Sequence, residues 1–214
     1  MPLGGDLGPE FTTIDRGVTN AREQKKAETR ARILACAHEL FHVHGFDATT
    51  LEDIYAATSV SKRTFFRYFP DKESLVFPNR ESRRDRFVEL LASAPADEAP
   101  FDTFRRITRL FAAEYTAHRE QLLAAQTLIV SSNALLAREA AIDREWEHDI
   151  AELFVRRMPR DDAASRWRAM VLAGAMMGTV RATMRHWYTT GGAGDLEQLG
   201  HEALDALEAG FGVE

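Results

Sequence analysis

The residues best equipped for chemistry lie in the run SKRTFFRYFPDK, from Ser61 to Lys72. Its cations, hydroxyls and aromatic rings suit binding rather than bond breaking. A guanidinium fork such as that of Arg63 can bond guanine O6 and N7 together, worth about 1–3 kcal/mol of discrimination. Ammonium and hydroxyl groups meet phosphates, which fixes position without reading sequence. Catalytic alternatives lack their parts. The histidines are scattered, and no HExxH, nucleophile elbow, P-loop or dinucleotide fingerprint is present. Glu145, Glu147, His148, Asp149 and Glu152 include pairs three and four apart that could meet a metal, but they read better as a solvated acidic helix face. Cys36 is the one cysteine; it sits in a helical apolar pattern, which leaves no disulfide partner and no zinc site. No enzyme, metal or cofactor is expected, and a reducing cytoplasm fits.

Positioning such a surface requires helices. Apolar residues recur at three and four rather than alternating, so the fold should be all-α, with about nine helices. The first runs from Lys25 to His44, with Ile33, Ala37, Leu40, Phe41 and His44 on one face and Gly45 as its stop. Thr50 caps Leu51–Thr58, with Asp53 at the third helical position. Ser61 caps Lys62–Phe69, closed by Pro70; the turn from Thr58 to Ser61 has the length that sets two helices near a right angle in a helix-turn-helix. Phe65 and Phe69 share a face and should join Leu40, Phe41, Leu51, Ile54 and Val60 in a small core, which turns Lys62, Arg63, Thr64, Phe66, Arg67 and Tyr68 outward. A further helix is expected from Asp71 through Leu91, followed by helices near 101–117, 119–130, 133–157, 162–188 and 195–210. Three regions follow: a disordered leader over 1–20, a three-helix DNA-binding domain over 21–72, and a helical domain over 73–214.

The segment TTLEDIYAATSVSKRTFFRYFPDKESL resembles the recognition unit of the TetR family in its Thr-Thr entry, Ser-Lys cap, aromatic run, Pro and Lys. The strong match covers about Thr29 to Leu75. The resemblance implies a ligand-responsive transcriptional repressor, in which Thr50, Thr64, Phe66 and Lys72 sit where the family contacts phosphates, while Lys62, Arg63 and Tyr68 sit where it reaches base edges. Thr50 and Lys72 stand where helix N-termini are expected, and a helix N-terminus favours an anion. Phe66 departs from the usual Tyr and so loses a hydroxyl contact. Arg22, Lys25, Lys26 and Arg30 extend the basic footprint or form a solvated helix start. In such proteins the second domain binds an effector and dimerises, because a two-fold pair must reach half-sites about 34 Å apart on palindromic double-stranded operator DNA.

For the homodimer, one stripe is Trp167, Met170, Gly174, Met177 and Gly178, and another is Leu199, Ala203 and Leu207; internal packing is the alternative for both. For the effector, Phe87, Phe104, Phe111, Tyr115, Trp146 and Ile150 could wall a cavity between helices, with Gln126, Tyr115 and Arg181 as polar anchors. The tail from His118 to Tyr188 is similar to actinobacterial regulators of the mycofactocin type, which implies a fatty-acyl ligand; an aromatic drug-like molecule is the alternative. Ligand binding is expected to tilt the helix from Asp71 to Leu91. A constitutive or architectural DNA-binding dimer is the competing class.

Composition agrees. The formal net charge is −6, yet Asn20–Lys72 holds nine Lys or Arg against seven Asp or Glu, while 73–214 holds 17 against 23. Positive potential for phosphates is therefore confined to one end. The longest apolar stretch, Ala169 to Val180, is too short to span a bilayer, so no membrane is expected. The N-terminus has no basic cluster followed by an apolar run and does not read as a secretory signal.

Overall fold

The computed structural model describes residues 13–95, 97–158 and 160–210, with side chains from residue 21 onward. Among these, every regular element is helical, and the chain packs as two compact units, Met1–Leu75 and Val76–Glu214.

In the first unit, α1 (Thr13–His44) begins twelve residues ahead of the expected Lys25; the first twelve residues of the expected leader lie outside the described residues. Gly45 ends α1 at φ +82°, where its N–H still donates to the Phe41 carbonyl at 2.9 Å. α2 (Leu51–Thr58) opens on a complete capping box: the Thr50 side chain accepts from the Asp53 N–H, and Asp53 accepts from the Thr50 N–H. α2 ends at Ser59, whose φ of 55° places a non-glycine residue in the left-handed region. Ser61 then caps α3 (Lys62–Phe66), shorter than the expected Lys62–Phe69, although a last turn brings the N–H groups of Tyr68 and Phe69 to the Phe65 carbonyl. A 3-10 turn, Glu73–Leu75, follows. Ile33, Ala37, Phe41, Ile54, Val60, Phe65 and Phe69 are buried as expected, joined by Phe46 and Leu75. His44, expected on the apolar face, is exposed.

The expected helix from Asp71 through Leu91 does not form as one element. Pro78 interrupts it, because a proline lacks the N–H for the helical ladder and drives the preceding residue away from α geometry. In the second unit α4 accordingly starts only at Arg80 (Arg80–Ala92), and a tilt of one continuous rod from Asp71 is not available. α5 (Pro100–Ala117), α6 (Arg119–Val130), α7 (Asn133–Arg157), α8 (Ala163–Thr189) and α9 (Leu196–Glu208) match the sequence expectation closely. Ser132, Asp162 and Asp195 cap α7, α8 and α9 with side-chain hydrogen bonds. The core is built from Phe87, Phe104, Ile107, Ile150, Phe154, Ala173, Met176 and Leu204, with Trp187 fully buried in a second cluster. The acidic face of α7 is not simply solvated: Glu145 binds Arg80, and Asp149 takes the fork of Arg84 at 2.7 and 2.9 Å, tying α7 to α4.

Candidate functional site

On α3 the division between inward and outward residues is clear. Phe65 is fully buried, packed edge-on against Tyr55 at 5.4 Å and tilted against Phe69 at 5.7 Å. Lys62 and Arg63 are exposed in the first turn of the helix, Arg63 on the side opposite Phe65, and neither forms an ion pair with any described residue. Phe66 is 42% exposed and stands at 90° on Phe65. The Arg67 guanidinium lies 5.0 Å above the Tyr68 ring, so both side chains are held together beside the helix. Thr64 is half-buried, its hydroxyl 2.9 Å from that of Ser61. With no carboxylate on the helix, it offers cations, aromatic surface and the Thr64 hydroxyl.

Two expected phosphate contacts look different in three dimensions. The Thr50 hydroxyl donates to Asp53 Oδ2 at 2.6 Å and accepts from the Asp53 N–H at 3.1 Å, so it is committed to the cap; that hydroxyl and the Thr50 N–H, which donates to Oδ2 at 2.8 Å, hold the Asp53 carboxyl below the usual carboxylate range. Lys72 does not stand at an α-helix N-terminus. Its Nζ donates to the Phe46 carbonyl at 2.8 Å and the Thr49 carbonyl at 2.9 Å, and sits 4.1 Å from the centre of the Phe46 ring. The lysine thus fastens the α1–α2 connection and leaves its charge beside the start of α2, where the main-chain N–H groups of Leu51 and Glu52 remain outside the capping box.

The second unit holds a partly open cavity of about 800 Å³ between α4, α5, α6, α7, α8 and α9. Seven of the eight expected ligand residues line it: Phe87, Phe104, Phe111, Tyr115, Gln126, Trp146 and Arg181. Ile150 does not; it is fully buried in the core behind the wall. The aromatic residues form one connected wall, with Phe87 and Trp146 centroids 4.6 Å apart and Phe111 5.9 Å from Trp146. Sequence reasoning missed the polar lining contributed by Arg83, Glu139, Asp143 and Tyr188. Glu139 and Asp143 were legible in principle, since they precede Trp146 by seven and three residues and share its helix face.

That polar lining is electrostatically tense. Burial pushes the Glu139 carboxyl upward, reinforced by Asp143 and opposed by Arg185. Burial likewise raises Asp143, opposed by Arg181 and reinforced by Glu147. The Tyr188 phenol is raised well above its ordinary range by burial, with Tyr115 and Glu139 adding to the effect and Arg83 working against it. Arg83 donates to the Tyr115 hydroxyl at 3.1 Å and lies 5.5 Å over that ring.

The expected dimer residues divide. Trp167 and Met170 on α8 are 65% and 64% exposed, with Val171 beside them also exposed. Met177 instead belongs to the chain's own core, Leu207 packs on that core, and Leu199 packs on the Trp187 cluster. Gly174 faces Glu147 of α7, Gly178 has only Arg181 of its own helix near its missing side chain, and Ala203 is half-buried.

The comparison with known proteins agrees with these two halves. The family model for bacterial regulatory proteins of the tetR family matches residues 33–77, and that for the MftR C-terminal domain matches residues 80–212. The chain is 31% identical to the HTH-type transcriptional regulator TcmR of Streptomyces glaucescens, over 87% of this chain and 85% of that protein. It is 24% identical to the protein of Mycobacterium tuberculosis named as the mycofactocin biosynthesis transcriptional regulator MftR, over 88% of this chain and 93% of that one. A solved structure of Thermus thermophilus FadR, described as a TetR-family transcriptional repressor in complex with lauroyl-CoA, aligns with a TM-score of 0.53 and 25% identity over 86% of this chain and 96% of that chain. The chain belongs to the TetR family of DNA-binding transcriptional regulators, with an MftR-type C-terminal domain.

Proposed function

We propose that this chain is a cytoplasmic transcriptional repressor that binds a palindromic operator as a homodimer and releases it when an apolar small molecule enters the cavity of the second unit. The observation that carries the reading is the outer face of α3, where Lys62 and Arg63 are exposed and unpaired among the described residues above a fully buried Phe65. Rigid inward anchoring with free outward cations is what major-groove docking requires of a recognition helix. Arg63 reads a guanine, with Lys62 and Tyr68 at neighbouring base edges. Phe66 packs against sugar or a thymine methyl, while Thr64, Lys72 and the start of α2 at Thr50 meet the phosphate backbone.

A second copy of the chain covers Trp167, Met170 and Val171, since exposed apolar clusters of this kind mark interaction surfaces. The cavity supports an effector over a constitutive DNA-binding role. A ligand acts only through its differential affinity for the DNA-competent and incompetent states. Selection of bound duplexes from a random pool tests the reading: enrichment of a two-fold symmetric site is expected, and no enrichment would overturn it.

A further inference from the structure

The charges around the cavity are balanced. Arg80, Arg83, Arg109, Arg181 and Arg185 line it, against the carboxylates of Glu139, Asp143 and Glu197. Glu145, bonded to Arg80, and Glu147, 3.8 Å from Arg181, supply two more carboxylates. Arg109 and Arg185 are exposed and Arg80 is held by Glu145, which leaves Arg83 and Arg181 with Glu139, Asp143 and the half-buried Glu197 on the inner polar wall.

Within that wall the opposite charges are not tightly joined. Neither Glu139 nor Asp143 accepts a hydrogen bond among the described residues, and Arg181 stands 3.9 Å from Asp143, beyond hydrogen-bonding distance. Arg83 has no carboxylate partner among the described residues; its one hydrogen bond goes to a neutral phenol. Its α4 neighbours Arg80, Arg84 and Arg86 each hold a carboxylate. Glu139, Arg83 and Tyr188 all line the same cavity.

We propose that this cavity selects an uncharged aromatic ligand carrying hydroxyl or carbonyl groups. The proposal rests on the reading of the cavity as the effector site. An anion placed against Arg83 lies in the field of Glu139 and Asp143, and a cation placed against those carboxylates lies in the field of Arg83 and Arg181. In a half-buried site such like-charge contacts are weakly screened. Neutral groups instead bond to both sides: ligand hydroxyls donate to the two carboxylates, and ligand hydroxyls and carbonyls accept from Arg83 and the Tyr188 hydroxyl. The aromatic part stacks on the wall formed by Phe87, Phe111 and Trp146. The several negative charges of a coenzyme A thioester are disfavoured on this account.

The test uses the full chain and three fluorescent naphthol probes: uncharged 2-naphthol, its sulfonate (2-naphthol-6-sulfonate) and a cationic aminomethyl-2-naphthol, with lauroyl-CoA as a fourth arm. The uncharged probe is expected to bind at least about tenfold more tightly than either charged one, the discrimination that one like-charge contact supplies in a partly buried site. Asp143→Asn, alone and with Glu139→Gln, should strengthen sulfonate binding while leaving the uncharged probe within about twofold; Arg83→Gln should strengthen the cation instead. Equal affinity for all probes, tighter binding of lauroyl-CoA, or variants that move all probes together would overturn the inference while leaving the cavity an effector site. Failure of every probe to bind would overturn both.

Discussion

Replacing Lys72 by Met keeps the length of the side chain and removes its charge and donors. Two charge-assisted hydrogen bonds, at 2.8 and 2.9 Å to the Phe46 and Thr49 carbonyls, disappear, together with the ammonium contact 4.1 Å from the Phe46 ring. Hydrogen bonds to charged groups contribute about 1.5–3 kcal/mol each, and an ammonium–ring contact about 0.5–2 kcal/mol. The three share one amine and are not additive, and water can reach a half-buried loop, so the net loss should be about 2–3 kcal/mol. In a unit of this size that lowers the midpoint by about 10 °C or more. Lys62→Met is the control, because Lys62 is exposed and pairs with no described residue; its cost should stay within about 0.5 kcal/mol. Urea denaturation of the two variants, followed by tyrosine and phenylalanine environment in the first unit, reads the difference. If Lys72→Met were no less stable than Lys62→Met, the clamp would not exist. The same variant should lower the salt slope of DNA binding by about one, since the charge beside α2 also serves a phosphate.

Further outcomes follow from single positions. Ser59→Gly should stabilise the first unit by about 0.5–1 kcal/mol in thermal melts, because the left-handed φ of 55° costs a side-chain-bearing residue more than glycine. Gly192→Ala should destabilise the second unit by at least about 1–3 kcal/mol, since its φ is +70° and a Cβ there would stand 2.6 Å from Arg119 Cδ. Arg63→Ala should cost about 1–3 kcal/mol on the selected operator and much less on random duplex, measured by anisotropy. Glu98, bound by Arg106 and Thr103, has its carboxyl lowered to about 2. Because the folded-state value is depressed, its contribution is fully present above the ordinary carboxylate range and is lost as pH falls toward 2; denaturation midpoints should fall through that window in the wild type and less steeply in Glu98→Gln.

What was legible in the sequence was what a helical period encodes. Phe65 and Phe69 turn inward and Arg63 outward because helical spacing sets the face, and the same logic found seven of the residues that line the cavity. Pro78 stood in plain view between Leu75–Phe77 and the polar run NRESRRDR, and its missing N–H and steric bias break the helix there. Periodicity could not separate Met177, Leu199 and Leu207, which pack within the chain, from Trp167 and Met170, which are exposed, since a core stripe and an interface stripe share one pattern. Nor could it show Lys72 reaching back to Phe46 or Arg83 turning to Tyr115, because those contacts exist only once distant segments are packed.

The most direct test of the regulatory reading compares the affinity of the full chain for its selected operator with that for a scrambled duplex of the same composition, at several salt concentrations. The account predicts a preference of about a thousandfold or more at physiological salt, lowered by about five- to 150-fold in Arg63→Ala. Equal affinity for both duplexes would contradict it.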